Sequence, residues 1–146
     1  MLKIVQLSKN FGAKQVLSDV SFSADSGEIT GLIGKNGAGK TTIFHSILNF
    51  VKSDGAIVFD DQQITEETYK RIGYLPEERS LMPKLTVFQQ VRFLASLKGM
   101  KASVIRKELL RWMDKLEVKG KIDDKIKSLS KGNQQKIQLI CTLIHQ

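Results

Sequence analysis

Residues 34–42 read GKNGAGKTT, with three glycines in six positions followed by a lysine and two threonines. Glycine loses more backbone freedom on ordering than any other residue, so this run suits neither a helix nor a strand. It suits a loop that must wrap closely around something. Apolar stretches flank it, residues 28–33 (EITGLI) before and 43–48 (IFHSIL) after. A strand, then Gly34-x-x-x-x-Gly39-Lys40-Thr41, then a helix is the arrangement of a phosphate-binding loop. Lys35, Asn36, Gly37 and Ala38 fill the variable positions. Inward-pointing backbone N–H groups cradle the phosphates. The helix opening at Lys40 adds its positive dipole end, about half a unit charge. Lys40 brings a mobile cation to the outer phosphates, the Thr41 hydroxyl suits Mg²⁺, and Thr42 reaches a phosphate nearer the base. The implied chemistry is binding of a nucleoside triphosphate with its magnesium. The loop leaves the class open, because GTPases, nucleotide kinases, helicases and transport ATPases all use it.

A second stretch, residues 129–135 (LSKGNQQ), offers another anion-binding surface. Ser130 carries a hydroxyl, Gly132 an unshielded backbone N–H, and both sit where a helix begins. Taken alone, the string is equally a helix cap. Downstream of a phosphate loop, it resembles the LSGGQ signature of the ATP-binding cassette (ABC) family. Leu129, Ser130 and Gly132 match, while Lys131 replaces a glycine and Asn133 takes the glutamine position, followed by Gln134.

Two further stretches carry the resemblance. Phe11, before Gly12, is similar to the aromatic residue on which the family stacks adenine; stacking needs only a flat π face, and a core phenylalanine is the other reading. Residues 72–79 (IGYLPEER) resemble the family's glutamine loop, with Glu77 at the glutamine position and a carboxylate able to approach Mg²⁺. LPEER with LSKGNQ looks most like the branch that powers bacterial efflux of drugs, sodium or other small solutes.

The resemblance covers residues 2–146 and implies an α/β P-loop NTPase fold. It predicts a RecA-like core with an antiparallel β-subdomain over residues 1–85 and a helical signature subdomain over 86–146. It implies an ATP-binding subunit of an exporter, with ATP and Mg²⁺ as cofactors and Thr41 and Glu77 as metal contacts. Two such subunits would pair head to tail, each signature covering the ATP on its partner's loop. ATP brings anionic oxygens between two positive surfaces, and closure would move permease subunits through the segment after Pro76. The family's pattern continues into an apolar strand ending in Asp (Walker B), a catalytic Glu, an aspartate loop and a switch histidine. None is in this sequence, so no catalytic residue is assigned and the C-terminal part of the core is expected to be missing. A chain of that kind should bind ATP weakly, hydrolyse it negligibly and tend to aggregate. His45 and His145 read as surface or packing residues.

Composition bounds these readings. At 146 residues the chain has the size of one domain, and 41% apolar and 26% charged residues are normal for a soluble globular protein. No apolar run approaches the roughly 18 residues of a membrane span, and the N-terminus lacks the apolar core of a signal peptide. The protein is therefore expected to stay in the cytoplasm, and the resemblance implies a peripheral place on the inner face of the cell membrane. The single cysteine, Cys141, fits a reducing compartment and reads as a small buried hydrophobe among Ile137, Ile140 and Ile144. Of the net charge of +8, residues 101–146 carry most, with 11 basic and 5 acidic residues. These are spread among apolar helix positions, which fits a solvated face. A soluble ABC-type ATPase acting on nucleic acid or the ribosome is the alternative; no basic or aromatic insertion supports it, so no nucleic-acid partner is expected. A GTPase would show NKxD, which is absent.

The elements that must position these residues follow from periodicity. Leu2, Ile4, Val5 and Leu7 suggest a strand with residues 20–22 as its partner. Residues 28–33, 55–60 and 72–75 read as further strands, the second ending in a turn at Asp60 and Asp61 and the third stopped by Pro76. A helix is predicted from Lys40 to about Phe50. Thr86 with Gln89 matches a capping box, opening a helix whose face is Val87, Phe88, Val91, Leu94 and Leu97, ended by Gly99. A second helix starts near Ser103 with the stripe Val104, Ile105, Leu109, Trp112, Met113 and Leu116, and a third starts near Gly132.

Overall fold

The computed structural model describes residues 1–78 and 80–145. Arg79, the last residue of the stretch resembling the glutamine loop, and Gln146 lie outside the described residues. The chain divides into two compact units, Met1–Tyr69 and Lys70–Gln146. Helix α2, Glu66–Arg71, carries the chain from one to the other.

The first unit is a four-stranded antiparallel sheet in the order β2-β1-β3-β4, with one helix. Its strands are β1 (Leu2–Phe11), β2 (Lys14–Ala24), β3 (Asp54–Phe59) and β4 (Gln62–Gln63). The expected pairing of residues 20–22 with β1 is present: Ile4 lies opposite Phe22, and Leu7 opposite Val20. Strict alternation from Ile4 would bury Gln6 and Ser8. Instead Gln6 takes φ +52° and the register shifts between Ile4 and Leu7. That irregularity turns Leu7 inward beside Ile4, as a β-bulge does. Ser21 Oγ accepts the Gln6 N–H at 2.8 Å, and Ser8 Oγ accepts that of Asp19 at 2.9 Å. Strand β3 ends in the predicted turn, with Asp60 and Asp61 at φ +50° and +60°. Ile4, Leu7 and Leu17 form a core with Ile43 and Ile47 of helix α1 (Lys40–Ile47).

Two expectations for this unit change. Helix α1 stops at Ile47 rather than near Phe50, because Asn49 adopts φ +56° and the N–H groups of Phe50 and Val51 fold back onto the His45 carbonyl. Residues 28–33 form no strand. A strand is stable only as part of a ladder, and no described strand lies alongside this one. Leu32 reaches the core, while Ile29 and Ile33 are fully exposed.

The second unit is built on α3 (Val87–Leu97), α4 (Ala102–Lys115) and α5 (Lys131–Leu143). Thr86 Oγ1 accepts the Gln89 N–H at 3.2 Å while Gln89 Oε1 accepts that of Thr86 at 2.9 Å, completing the predicted capping box. Val87, Val91 and Ala95 meet Ile105, Leu109 and Met113 of α4 and Ile137, Ile140 and Ile144 around α5. Ile122, Ile126 and Leu129 close the core from the connection before α5. Ala95 completes the α3 stripe, four residues after Val91, so Leu97 is left largely exposed; Val104 also faces out. Trp112 packs against this core, as expected. Among the described residues no helix is long and apolar enough to cross a membrane.

Residues 72–75 are not a strand either. The Ile72 carbonyl accepts from Lys98 Nζ at 3.3 Å, and that of Tyr74 from Thr142 Oγ1 at 3.5 Å. The side chains of Lys98, just past the end of α3, and of Thr142 in α5, not a neighbouring strand, hold this stretch.

Cys141 is partly buried against the helical core. Burial pushes its thiol up to about 12, a main-chain hydrogen bond offsetting part of the rise. Thiolate, the reactive form, is therefore scarce at any ordinary pH. Alkylation of Cys141 at pH 8 should be slow in the folded chain and rise sharply in denaturant; fast native labelling would contradict this packing. Thr86→Ala should lower stability by about 1 kcal/mol in denaturant titration, with Thr86→Ser recovering most of it.

Candidate functional site

The loop at residues 34–42 owes its position to Gly39. This residue is buried and has φ +89°. A Cβ there would stand 2.7 Å from Leu17 Cδ2 and 3.0 Å from the Val16 carbonyl oxygen. Leu17 belongs to the core of the first unit, so the loop is set directly against β2. Gly37, at φ +81°, and a turn in which Ala38 N–H donates to the Lys35 carbonyl at 3.1 Å complete the curve.

Helix α1 begins at Lys40 with Gly39 as its cap, so no side chain accepts from its first-turn N–H groups, and no acidic residue lies in that turn. Such a terminus attracts anions. Lys40 Nζ donates to the carbonyls of Gly34 at 2.7 Å and Lys35 at 2.9 Å. Its ammonium thus lies across the loop on neutral acceptors that a phosphate oxygen can outcompete. Thr41 is exposed and Thr42 half-buried at the helix start. Phe11 ends β1 as a residue 49% exposed, with Lys9 Nζ 5.0 Å from the centroid of its ring. It is therefore a surface aromatic, not a core one.

The second unit carries the other predicted residues. Ser130 caps α5, its Oγ accepting from Asn133 N at 3.3 Å and Asn133 Nδ2 at 3.0 Å. An oxygen that accepts twice keeps its own proton for donation, the function a phosphate needs. The other residues of the stretch divide between exposed and inward-facing. Lys131 and Gly132 are exposed, and a Cβ on Gly132 would meet nothing within 4 Å. Leu129 is buried, so it offers a ligand only main chain. Asn133 Oδ1 accepts from Lys119 N at 3.0 Å, and Gln134 Nε2 donates to the carbonyls of Ile126 and Leu129 at 3.1 and 2.9 Å. Both side chains therefore face inward and brace the capping turn.

Glu77 is exposed in the stretch after Pro76. Gln138 of α5, a residue sequence reasoning passed over, reaches that stretch: its Nε2 donates to the carbonyls of Pro76 at 3.2 Å and Glu78 at 3.1 Å. Its one sequence signal is a glutamine between Ile137 and Ile140 on a buried stripe. His145 takes no part in these contacts; burial, then the Lys98 charge, holds its imidazole below the ordinary value.

A family model described as ABC transporter matches residues 17–146. The chain belongs to the ABC transporter family. It is 42% identical over 144 residues to the uncharacterized ABC transporter ATP-binding protein MJ1023 of Methanocaldococcus jannaschii, covering 99% of this chain and 52% of that protein. It is 39% identical over 147 residues to the uncharacterized ABC transporter ATP-binding protein YhaQ of Bacillus subtilis, covering 100% and 49%. The chain thus spans about half the length of these curated relatives. A solved ATP binding subunit of an ABC transporter matches with TM-score 0.85 at 30% identity, covering 99% of this chain and 62% of that one. The described fold is accordingly a partial P-loop NTPase fold of the ABC type. Relatives near 30% identity are named for opposite directions, lipopolysaccharide export (LptB of Haemophilus influenzae) and spermidine/putrescine import (PotA of Fusobacterium nucleatum).

Of the three glycines in this loop, Gly39 stands at the most exacting position. Gly39→Ala combines a clash with β2 and a φ that costs about 1–3 kcal/mol for a residue with a side chain. It should lower the melting temperature by several degrees and weaken ATP binding at least tenfold, measured by calorimetry; wild-type affinity would show that the loop tolerates a shift from β2.

Proposed function

We propose that this chain is the ATP-binding part of an ABC transporter, and that its 146 residues bind ATP with Mg²⁺ but do not hydrolyse it on their own. The uncapped start of α1, with Lys40 lying on loop carbonyls, carries this reading. Phosphate binding gives the first-turn N–H groups an acceptor and Lys40 a charged partner. Gly34, Lys35, Asn36, Gly37, Ala38 and Gly39 wrap the phosphates, and Phe11 stacks the adenine. Mg²⁺ prefers hard oxygen donors and keeps several waters, taking one or two protein ligands besides phosphate. The Thr41 hydroxyl is such a donor, and so is the Glu77 carboxylate, to which the resemblance gives the same role. No cluster of three or more His, Cys, Asp or Glu suited to a metal is found among the described residues, and a nucleotide-bound Mg²⁺ requires none. Bound, the ion neutralises phosphate charge.

Ser130, Lys131 and Gly132 form the surface that meets ATP held by a second ATP-binding subunit. Gly132 supports this: glycine inside a helix costs about 0.5–1 kcal/mol against alanine, and among the described residues nothing lies within 4 Å of where its Cβ would stand. The wider role is that of a peripheral subunit on the inner face of a membrane, coupling ATP to export through permease partners. Export rests on the resemblance of LPEER and LSKGNQ to efflux ATPases.

Saturating ATP·Mg²⁺, at about 100 times Kd, should stabilise the wild-type chain by about 2.7 kcal/mol. Lys40→Ala should lose most of that shift, and Ser130→Ala should keep it while impairing ATP-dependent dimerisation. ATP turnover by the 146 residues that Lys40→Ala abolishes would overturn the assignment of binding without hydrolysis. An unchanged thermal shift in Lys40→Ala would overturn the site itself.

A further inference from the structure

We propose that residues 28–33 pair antiparallel with the same residues of a second copy of this chain, giving a dimer that forms without nucleotide. Every residue concerned lies in the first unit.

The run EITGLI has the composition of a strand and no ladder. Among the described residues, no main-chain hydrogen bond joins it to the rest of the chain. Its N–H and C=O groups are therefore open to a partner. No residue in it has a positive φ, so nothing in its backbone opposes an extended ladder. Leu32 packs against the core of the first unit, while Ile29 and Ile33 are 102% and 96% exposed. Between those two, a Cβ on Gly31 would meet nothing within 4 Å. Positions 29, 31 and 33 share one face of an extended strand, and here that face is bare. An apolar edge of this kind is a template for a strand from another chain.

The run is complementary to itself. Antiparallel pairing about a two-fold axis at Gly31 sets Ile29 opposite the second copy's Ile33, and each contact occurs twice. Charge selects the direction. Asp25 and Glu28 stand at one end of the run and Lys35 at the other. Antiparallel pairing brings the acids of each copy to the Lys35 end of its mate, whereas parallel pairing sets like charge against like, which is unfavourable. An interface this small, between two chains each of net charge +8, is weak, so the dimer dissociates on dilution.

The test is analytical ultracentrifugation of the full chain over a wide range of concentration, with a chelator and no nucleotide. Wild type should pass from monomer to dimer, and amide exchange at residues 28–33 should slow as the dimer fills. Ile33→Asp should remove the dimer and leave the melting temperature of the monomer unchanged, because that side chain touches nothing. Glu28→Lys and Lys35→Glu should each weaken the dimer about tenfold, and the two together should restore it. A monomer at every concentration, a dimer that survives Ile33→Asp, charge reversals that add instead of cancelling, or growth into larger species with no stable dimer would overturn the inference. So would a dimer that appears only with ATP and is lost in Ser130→Ala, which would place the contact at the start of α5.

Discussion

A backbone N–H or C=O must find a partner or stay in water, and this chain meets that demand in three different ways. Strands β2 and β3 pair with β1 on either side, and where the bulge at Gln6 interrupts the ladder, the Ser8 and Ser21 hydroxyls take the loose N–H groups. The stretch from Gly73 to Glu78 is held from the side, by Gln138 and Thr142. The loop at residues 34–42 is left open, its carbonyls resting on the Lys40 ammonium and the first turn of α1 without a side-chain cap. Function follows from where the pairing is incomplete. A closed ladder has nothing to offer an anion, whereas an uncapped helix start has several donors pointing the same way.

The open loop stays in shape because it is braced from behind. Leu17 is both a core residue and the side chain that a Cβ on Gly39 would strike. Ile43 and Ile47 enter the same core one and two turns into α1. The helix start is thus fixed by apolar packing, at about 1.5–3 kcal/mol for each fully buried aliphatic side chain, and no polar group is spent on it. Replacing Gly39 with a capping residue such as serine would instead drive its Cβ into Leu17 and the Val16 carbonyl.

Local rules made much of this legible. The phosphate loop needs only a spacing of glycines before Lys40, the capping box only Thr86 and Gln89, and the helical stripes only a period near four. Rules that depend on neighbours were less reliable. Residues 28–33 and 72–75 have the composition of strands, but composition cannot supply the adjacent strand that would pair them. Leu97 and Val104 fit their helical stripes by type, yet Ala95 and Ile105 occupy the inward positions. Asn133 and Gln134 matched a ligand motif by position while their amides turn inward to brace the chain. Gln138 escaped notice because a polar residue on a buried stripe looks like noise until its two carbonyl partners are seen.

The starts of α1 and α5 show how one physical device can be tuned. Both expose helix N–H groups to an anion, but α1 is capped by glycine and α5 by Ser130. With glycine, every first-turn donor remains for the ligand and Lys40 adds a full charge. With serine, one donor is taken up by the cap, and Asn133 fills the hydroxyl's acceptor side. What remains at α5 is one directed O–H and the unshielded main chain at Gly132. The first arrangement suits tight retention of a polyphosphate. The second, with fewer donors and no charge from a neighbouring lysine ammonium on the loop, suits a weaker contact with an anion.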